Sequence, residues 1–132
     1  MGNKIVLDTN AVLRYLLCDI EQQFHEVEQA VETCLCIVPL EVIAEAVYVL
    51  EKVYQSPRES IISSFRKFVD DVTIPNVDIL LRAMEIFDTA PKMAFIDCLL
   101  YGYKMTRGYD VLTFDRTLKK QLEAILLPDR DE

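Results

Sequence analysis

The chain has 132 residues, 52% of them hydrophobic and 27% charged, enough apolar surface for one ordinary core and too much for a disordered chain. Three glycines are too few for a long glycine-lined phosphate loop, and no apolar run reaches the ~18–20 residues of a membrane span. The formal charge of −8 and a pI near 4.6 exclude a nucleic-acid surface of the usual, uniformly basic kind.

In chain order, KIVL (4–7) reads as a short apolar strand, and an apolar helical run follows over 11–17. Residues 20–33 are polar with Phe24, Val27 and Val31 at helical spacing, an amphipathic helix. Leu35 to Val38, stopped by Pro39, reads as a second buried strand, and helix 41–54 carries a Val42, Ala46, Val49, Val53 stripe. Pro57 suits the first position of the next helix, whose Ile61, Ile62, Phe65, Phe68 and Val69 face a core before it fades near Asp71. VTIP (72–75) reads as a short strand, followed by helices 77–88 and 93–107, the second closed by Gly108. Its core stripe is read as Ile96, Leu99, Leu100 and Tyr103. DVLTF (110–114) is expected to be a strand, 115–123 a short helix, and AILLP (124–128) an edge strand.

With no repeat, linker or low-complexity segment, residues 1–132 read as a single domain. Short apolar strands alternating with helices imply an α/β fold with a mainly parallel sheet covered on both faces. Asp8 and Asn10 interrupt any signal-peptide core, and Cys18, Cys34, Cys36 and Cys98 lack zinc-ligand spacing, so reduced thiols in a cytoplasm are expected.

Four acids stand out against this background. Asp8 is the first residue past the opening strand, and Asp115 follows the 110–114 strand in the same way, so both are expected at the carboxyl edge of one sheet, where α/β folds bind ligands. Either acid can equally serve as a helix N-cap. Glu45 lies among Val42, Ala44, Ala46 and Val49, with Glu41 one turn earlier; Asp97 lies among Phe95, Ile96, Cys98 and Leu99 and is a further N-cap candidate. Carboxylates gathered on one side of a sheet raise each other's pKa unless a cation joins them. An all-oxygen donor set suits Mg2+ or Mn2+, which activate water and stabilise charge on a phosphodiester. The basic residues are unevenly spread: residues 92–120 hold six cations against three acids, while the rest of the chain is strongly acidic. Lys104, Arg107, Arg116, Lys119 and Lys120 are therefore candidates to meet an RNA backbone, and Tyr101 or Tyr103 to stack on a base.

VLDTN…LRYL, the glutamate of AEAVYVL, FIDCLL and VLTFD, in this order from Ile5 to about Leu118, resemble the PIN-domain ribonucleases, and most of all the VapC-type toxins of toxin–antitoxin pairs. The resemblance implies a three-layer α/β/α fold with a central, mainly parallel sheet. It also implies a divalent metal (Mg2+ or Mn2+) in an acidic pocket, endonucleolytic cleavage of RNA such as transfer RNA, a cognate antitoxin and a homodimer. On the matching positions it makes Asp8, Glu45, Asp97 and Asp115 catalytic, with Asp8, Asp97 and Asp115 on the metal. Asn10 and Thr113 become supporting residues, and Glu45 is preferred to Glu41 for the VYVL that follows it. Arg14 matches a recurrent basic position of the family. Two other classes compete. A receiver-like signalling domain needs an acid at the end of a middle strand, which neither 35–38 nor 72–75 supplies. A catalytically silent PIN-like interaction module keeps the fold and acts through partner proteins.

Overall fold

A computed structural model describes residues 3–124. The expected strand within 124–128 falls, beyond Ala124, outside them. The chain divides into two compact units, Met1–Val77 and Asp78–Glu132.

The first unit is built on a βα crossover. Strand β1 (Lys4–Val6) leads into helices α1 (Thr9–Leu17) and α2 (Glu21–Thr33), which return the chain to strand β2 (Leu35–Ile37). The two strands pair in parallel, Lys4 opposite Leu35, Ile5 opposite Cys36 and Val6 opposite Ile37. A parallel pair needs such a helical crossover, because a tight turn can join only antiparallel strands. α1 packs against α2 and against α3 (Leu40–Lys52), which in turn packs on α4 (Arg58–Phe68). Val12, Ile43, Val47, Ile61, Phe65 and Phe68 are buried, with the Phe65 and Phe68 rings edge to face at 5.9 Å.

The α/β class and the parallel pairing hold, but the sheet among the described residues is smaller than expected. VTIP contributes one bridge rather than a strand: Thr73 donates to the Cys36 carbonyl at 2.8 Å and accepts from the Val38 N–H at 2.9 Å. Pro75 then lacks an N–H and Asn76 turns into the left-handed region at φ 59°, which ends the ladder. Val6 is 63% exposed, so β1 is not the fully covered strand its sequence suggested.

Two helical details also shift. Pro57 is the N-cap of α4 rather than its first helical residue. The buried stripe of α3 is Leu40, Ile43, Ala46, Val47 and Leu50, one position away from the Val42, Val49, Val53 line. That displacement turns Glu41, Glu45 and Tyr48 outward.

The second unit comprises α5 (Val77–Thr89, whose first residue belongs to the preceding unit), α6 (Phe95–Arg107) and α7 (Arg116–Glu123). Ile79, Leu80, Ala83, Met84 and Phe87 of α5 are buried, as are Phe95, Cys98, Leu99 and Tyr101 of α6. Ile96, expected in the core, is exposed, and Gly102 takes a core position instead. A Cβ on Gly102 would lie 3.0 Å from the Ile79 carbonyl oxygen, so glycine is what lets α6 approach α5 so closely. Phe87 and Phe95 meet edge to face at 5.2 Å. Gly108 closes α6 at φ 70°, as its sequence position suggested.

Residues 110–114 form no strand. An apolar, β-branched run becomes one only where a neighbour takes up its backbone groups. Among the described residues none does, and Leu112 and Phe114 stand 88% and 94% exposed.

Candidate active site

The four predicted acids fall two in each unit, and each pair has its own local cause. Asp8 leaves β1 with an extended backbone and caps α1, its Oδ1 accepting the Ala11 N–H at 2.9 Å. The N-cap alternative is therefore correct as structure, and it does not exhaust the carboxylate, since the bond uses one oxygen only. The next residue, Thr9, donates from Oγ1 to Glu45 Oε1 at 3.3 Å, which ties the exposed carboxylate of α3 to the start of α1. Glu45 is thus not buried without a partner. Asn10, expected to brace Asp8, makes no side-chain bond to it; the hydroxyl of Thr9 supplies the link between the two elements.

Asp115 caps α7 more tightly, its Oδ1 accepting from the Thr117 and Leu118 N–H groups at 2.9 and 3.1 Å. Thr113 accepts the Asp115 N–H on Oγ1 at 3.0 Å, so the predicted supporting hydroxyl does fix the backbone of the acid. Asp115 follows no strand, contrary to expectation; its position comes from this Thr113–Asp115 turn and from α7. Asp97 is the third residue of α6, whose N-cap is Ala94, so Asp97 is not a cap. Burial first, and then the negative charge of Asp115, push its carboxyl above the usual carboxylate range. The second unit therefore holds two carboxylates in electrostatic contact. Among the described residues no group of three or more His, Cys, Asp or Glu side chains is gathered to hold a metal ion.

The basic candidates separate clearly. Arg107 is committed to Asp78 through a forked ion pair, Nη1 to Oδ2 at 2.7 Å and Nη2 to Oδ1 at 3.1 Å. That pair holds the Asp78 carboxyl below its ordinary value and the guanidinium above its own. Lys104 of α6 and Lys119 of α7 share the wall of a cavity of about 450 Å3 with Asp110 and Glu123. Arg116 and Lys120 are exposed on α7. Tyr101 is buried and donates its hydroxyl to the Ala124 carbonyl at 3.1 Å, which removes it as a stacking platform. Tyr103 stacks on Tyr109, the rings 6.3 Å apart and 12° from parallel.

Two features escaped the sequence. Arg14 is fixed between Asp19 (3.2 Å) and the Tyr54 hydroxyl (3.2 Å), a pairing across 40 residues that no local spacing announces. Tyr15 donates to Asp71 at 2.9 Å and lies stacked on Phe24. Burial and that bond push the Tyr15 hydroxyl from 10.0 up to about 12.

Asp8, two residues past β1, and Asp115 are helix caps, while Glu45 and Asp97 lie on helices. The PIN domain family matches residues 5–121, nearly the whole chain, and the chain belongs to that family. PIN domains are in general nucleases, hydrolases of phosphodiester bonds; they generally use divalent metals, and the family suggests RNA as the substrate. A search of curated proteins finds no match.

Proposed function

We propose that this chain is a single PIN-like domain of three-layer α/β/α design acting as a Mg2+- or Mn2+-dependent endoribonuclease. Asp8, Glu45, Asp97 and Asp115 are its catalytic acids, and it works in the cytoplasm as the toxin of a toxin–antitoxin pair. The observation that carries the reading is the Asp97–Asp115 pair. Burial and the neighbouring Asp115 charge both oppose the ionised form of Asp97, and a bound cation would relieve that.

The donor chemistry fits the metal. Mg2+ is typically held by one or two carboxylates, with water and substrate phosphates completing its shell, so the pair suffices as a protein contribution. Bound there, the ion would supply an activated water and stabilise charge on the phosphodiester. Asp97 and Asp115 would hold it, and Asp8 and Glu45, the latter oriented by Thr9, are proposed as the other two catalytic acids. Thr113 keeps Asp115 in place. Lys104 and Lys119, with the exposed Arg116 and Lys120, would take RNA phosphates; Arg107, engaged by Asp78, would contribute least.

The partnered part of the reading, a homodimer inhibited by an antitoxin, draws on the resemblance to VapC toxins. Leu112 and Phe114 also support it, because apolar side chains that are 88% and 94% exposed are the kind a partner covers. Incubating purified total RNA with the protein in Mg2+, Mn2+ or EDTA tests the nuclease. Discrete internal fragments that require metal are expected; RNA left whole in every condition would move the chain to the catalytically silent interaction module. Co-purification with the protein encoded beside it, released by salt, tests the antitoxin, and two species that elute independently would count against that pairing.

A further inference from the structure

Asp8 forms part of a second feature that the carboxylate chemistry does not use. It stands on the rim of a cavity of about 400 Å3 lined by α1 and α2, within the size range of small-ligand sites. The polar wall consists of Asn10 and Arg14 from α1 and Gln22, Gln23 and Glu26 from α2, while Ile20 and Val27 supply apolar surface. Asn10, Gln22, Gln23 and Glu26 are exposed and make no side-chain hydrogen bond within the described chain. Ile20, the N-cap of α2, is 41% exposed at the cavity wall. Arg14 is pinned at both ends of its guanidinium by Asp19 and Tyr54, and its buried Nε has no hydrogen-bond partner.

These groups decide the ligand class. Two carboxylates, Asp8 and Glu26, face one guanidinium that Asp19 already neutralises, so the cavity repels a phosphate. Three free amides, each both donor and acceptor, and an apolar wall suit a flat, neutral, hydrogen-bonding ring. Sequence-specific proteins recognise single-stranded RNA through such splayed bases. We infer that this cavity is a base-specificity pocket for a nucleotide beside the scissile phosphate, and that it takes an amino-bearing base (adenine, guanine or cytosine) in preference to uracil. The inference rests on the nuclease reading for the position of that phosphate near Asp8. Glu26 accepts from the exocyclic amino group, which uracil lacks; uracil would set a carbonyl oxygen against the carboxylate. Asn10, Gln22 and Gln23 read the adjacent ring nitrogen or carbonyl.

The test uses the full chain, a random-sequence RNA pool and the four nucleoside monophosphates. Mapped cleavage ends are expected to show one flanking position where uridine is depleted about tenfold. That depletion should vanish in Glu26→Gln, whose amide can serve either partner, and weaken in Gln23→Ala. Independently of cleavage, AMP, GMP and CMP should shift the side-chain amide NMR signals of Gln22 and Gln23, and UMP should not. Cleavage without uridine depletion, depletion that survives Glu26→Gln, or amide signals unmoved by all four nucleotides would overturn the pocket and leave the nuclease standing; a cavity that serves a protein partner gives this result. Nucleotide shifts ranked as expected with RNA left uncut would keep the pocket and remove the nuclease.

Discussion

Asp8 and Asp115 are N-caps and, in the proposed function, catalytic acids as well, and the two roles can be separated by substitution. As N-caps their carboxylates satisfy orphan helix N–H groups, a role that asparagine fills about as well. In the proposed catalytic role they need the charge. Asp8→Asn and Asp115→Asn are therefore expected to melt within a few tenths of a kcal/mol of wild type while losing RNA cleavage, whereas Asp8→Ala should also cost about 1 kcal/mol in urea denaturation. A cleavage-competent Asp8→Asn would leave Asp8 as a cap and nothing more. Tyr15 gives the pH dependence at this scale. Its folded pKa, raised to about 12, means the native state holds the phenolic proton more tightly than the unfolded chain does. The associated stability is full below pH 10 and is lost as pH rises from 10 toward 12. Tyr15→Phe removes the Asp71 bond at a cost of about 0.5–1.5 kcal/mol at neutral pH and should flatten that alkaline decline, as urea midpoints at pH 8 and pH 11 would show.

Among the elements, the helices were legible because their apolar residues recur at helical spacing, and Gly108 marked its own C-cap. The facing of two helices was not. In α3 valines line the half-buried as well as the buried side, so composition pointed one position away from the true stripe and made Glu45 look enclosed. In α6 the core position of Gly102 carries no hydrophobic signal at all; only the close approach of Ile79 reveals it. Gly102→Val should lower stability by about 1–3 kcal/mol, since the Ile79 carbonyl is backbone and cannot move aside. A variant as stable as wild type would mean α5 and α6 are not so tightly apposed. At the end of α1 the opposite change helps. Cys18 holds φ 53° with a side chain that disfavours it, so Cys18→Gly should raise stability by about 0.5–1 kcal/mol, readable as a higher thermal midpoint.

For the whole molecule, the α/β class and the parallel β1–β2 pair follow from the alternation of apolar strands with helices. The extent of the sheet does not, because strand formation depends on partners far away in sequence: Thr73 finds one and 110–114 finds none among the described residues. Of the four candidate acids, Asp8 and Asp115 were readable as helix caps and are caps, whereas Asp97 was a cap candidate and is not one, and Glu45, which looked enclosed, is exposed. Their surroundings were legible in part: Thr113 was marked by its place before Asp115, while the Thr9–Glu45 and Arg14–Tyr54 bonds join residues 36 and 40 positions apart. Under the proposed function the acidity of the chain also acquires a physical sense, since carboxylates that work through a divalent cation would attract phosphate by way of that cation rather than repel it.

The measurement closest to the central claim is single-turnover cleavage of one mapped RNA by wild type and Asp97→Asn in Mg2+, with thermal melts on the same preparations. Substitutions outside a metal's immediate shell already cost about 10–100-fold, so loss of a direct ligand should cost about 100-fold or more. The melting temperature should not fall, because burial and the Asp115 charge both oppose ionised Asp97. An Asp97→Asn protein that cuts the RNA as fast as wild type, or one that fails only because it has unfolded, would contradict a metal-dependent nuclease centred on the Asp97–Asp115 pair.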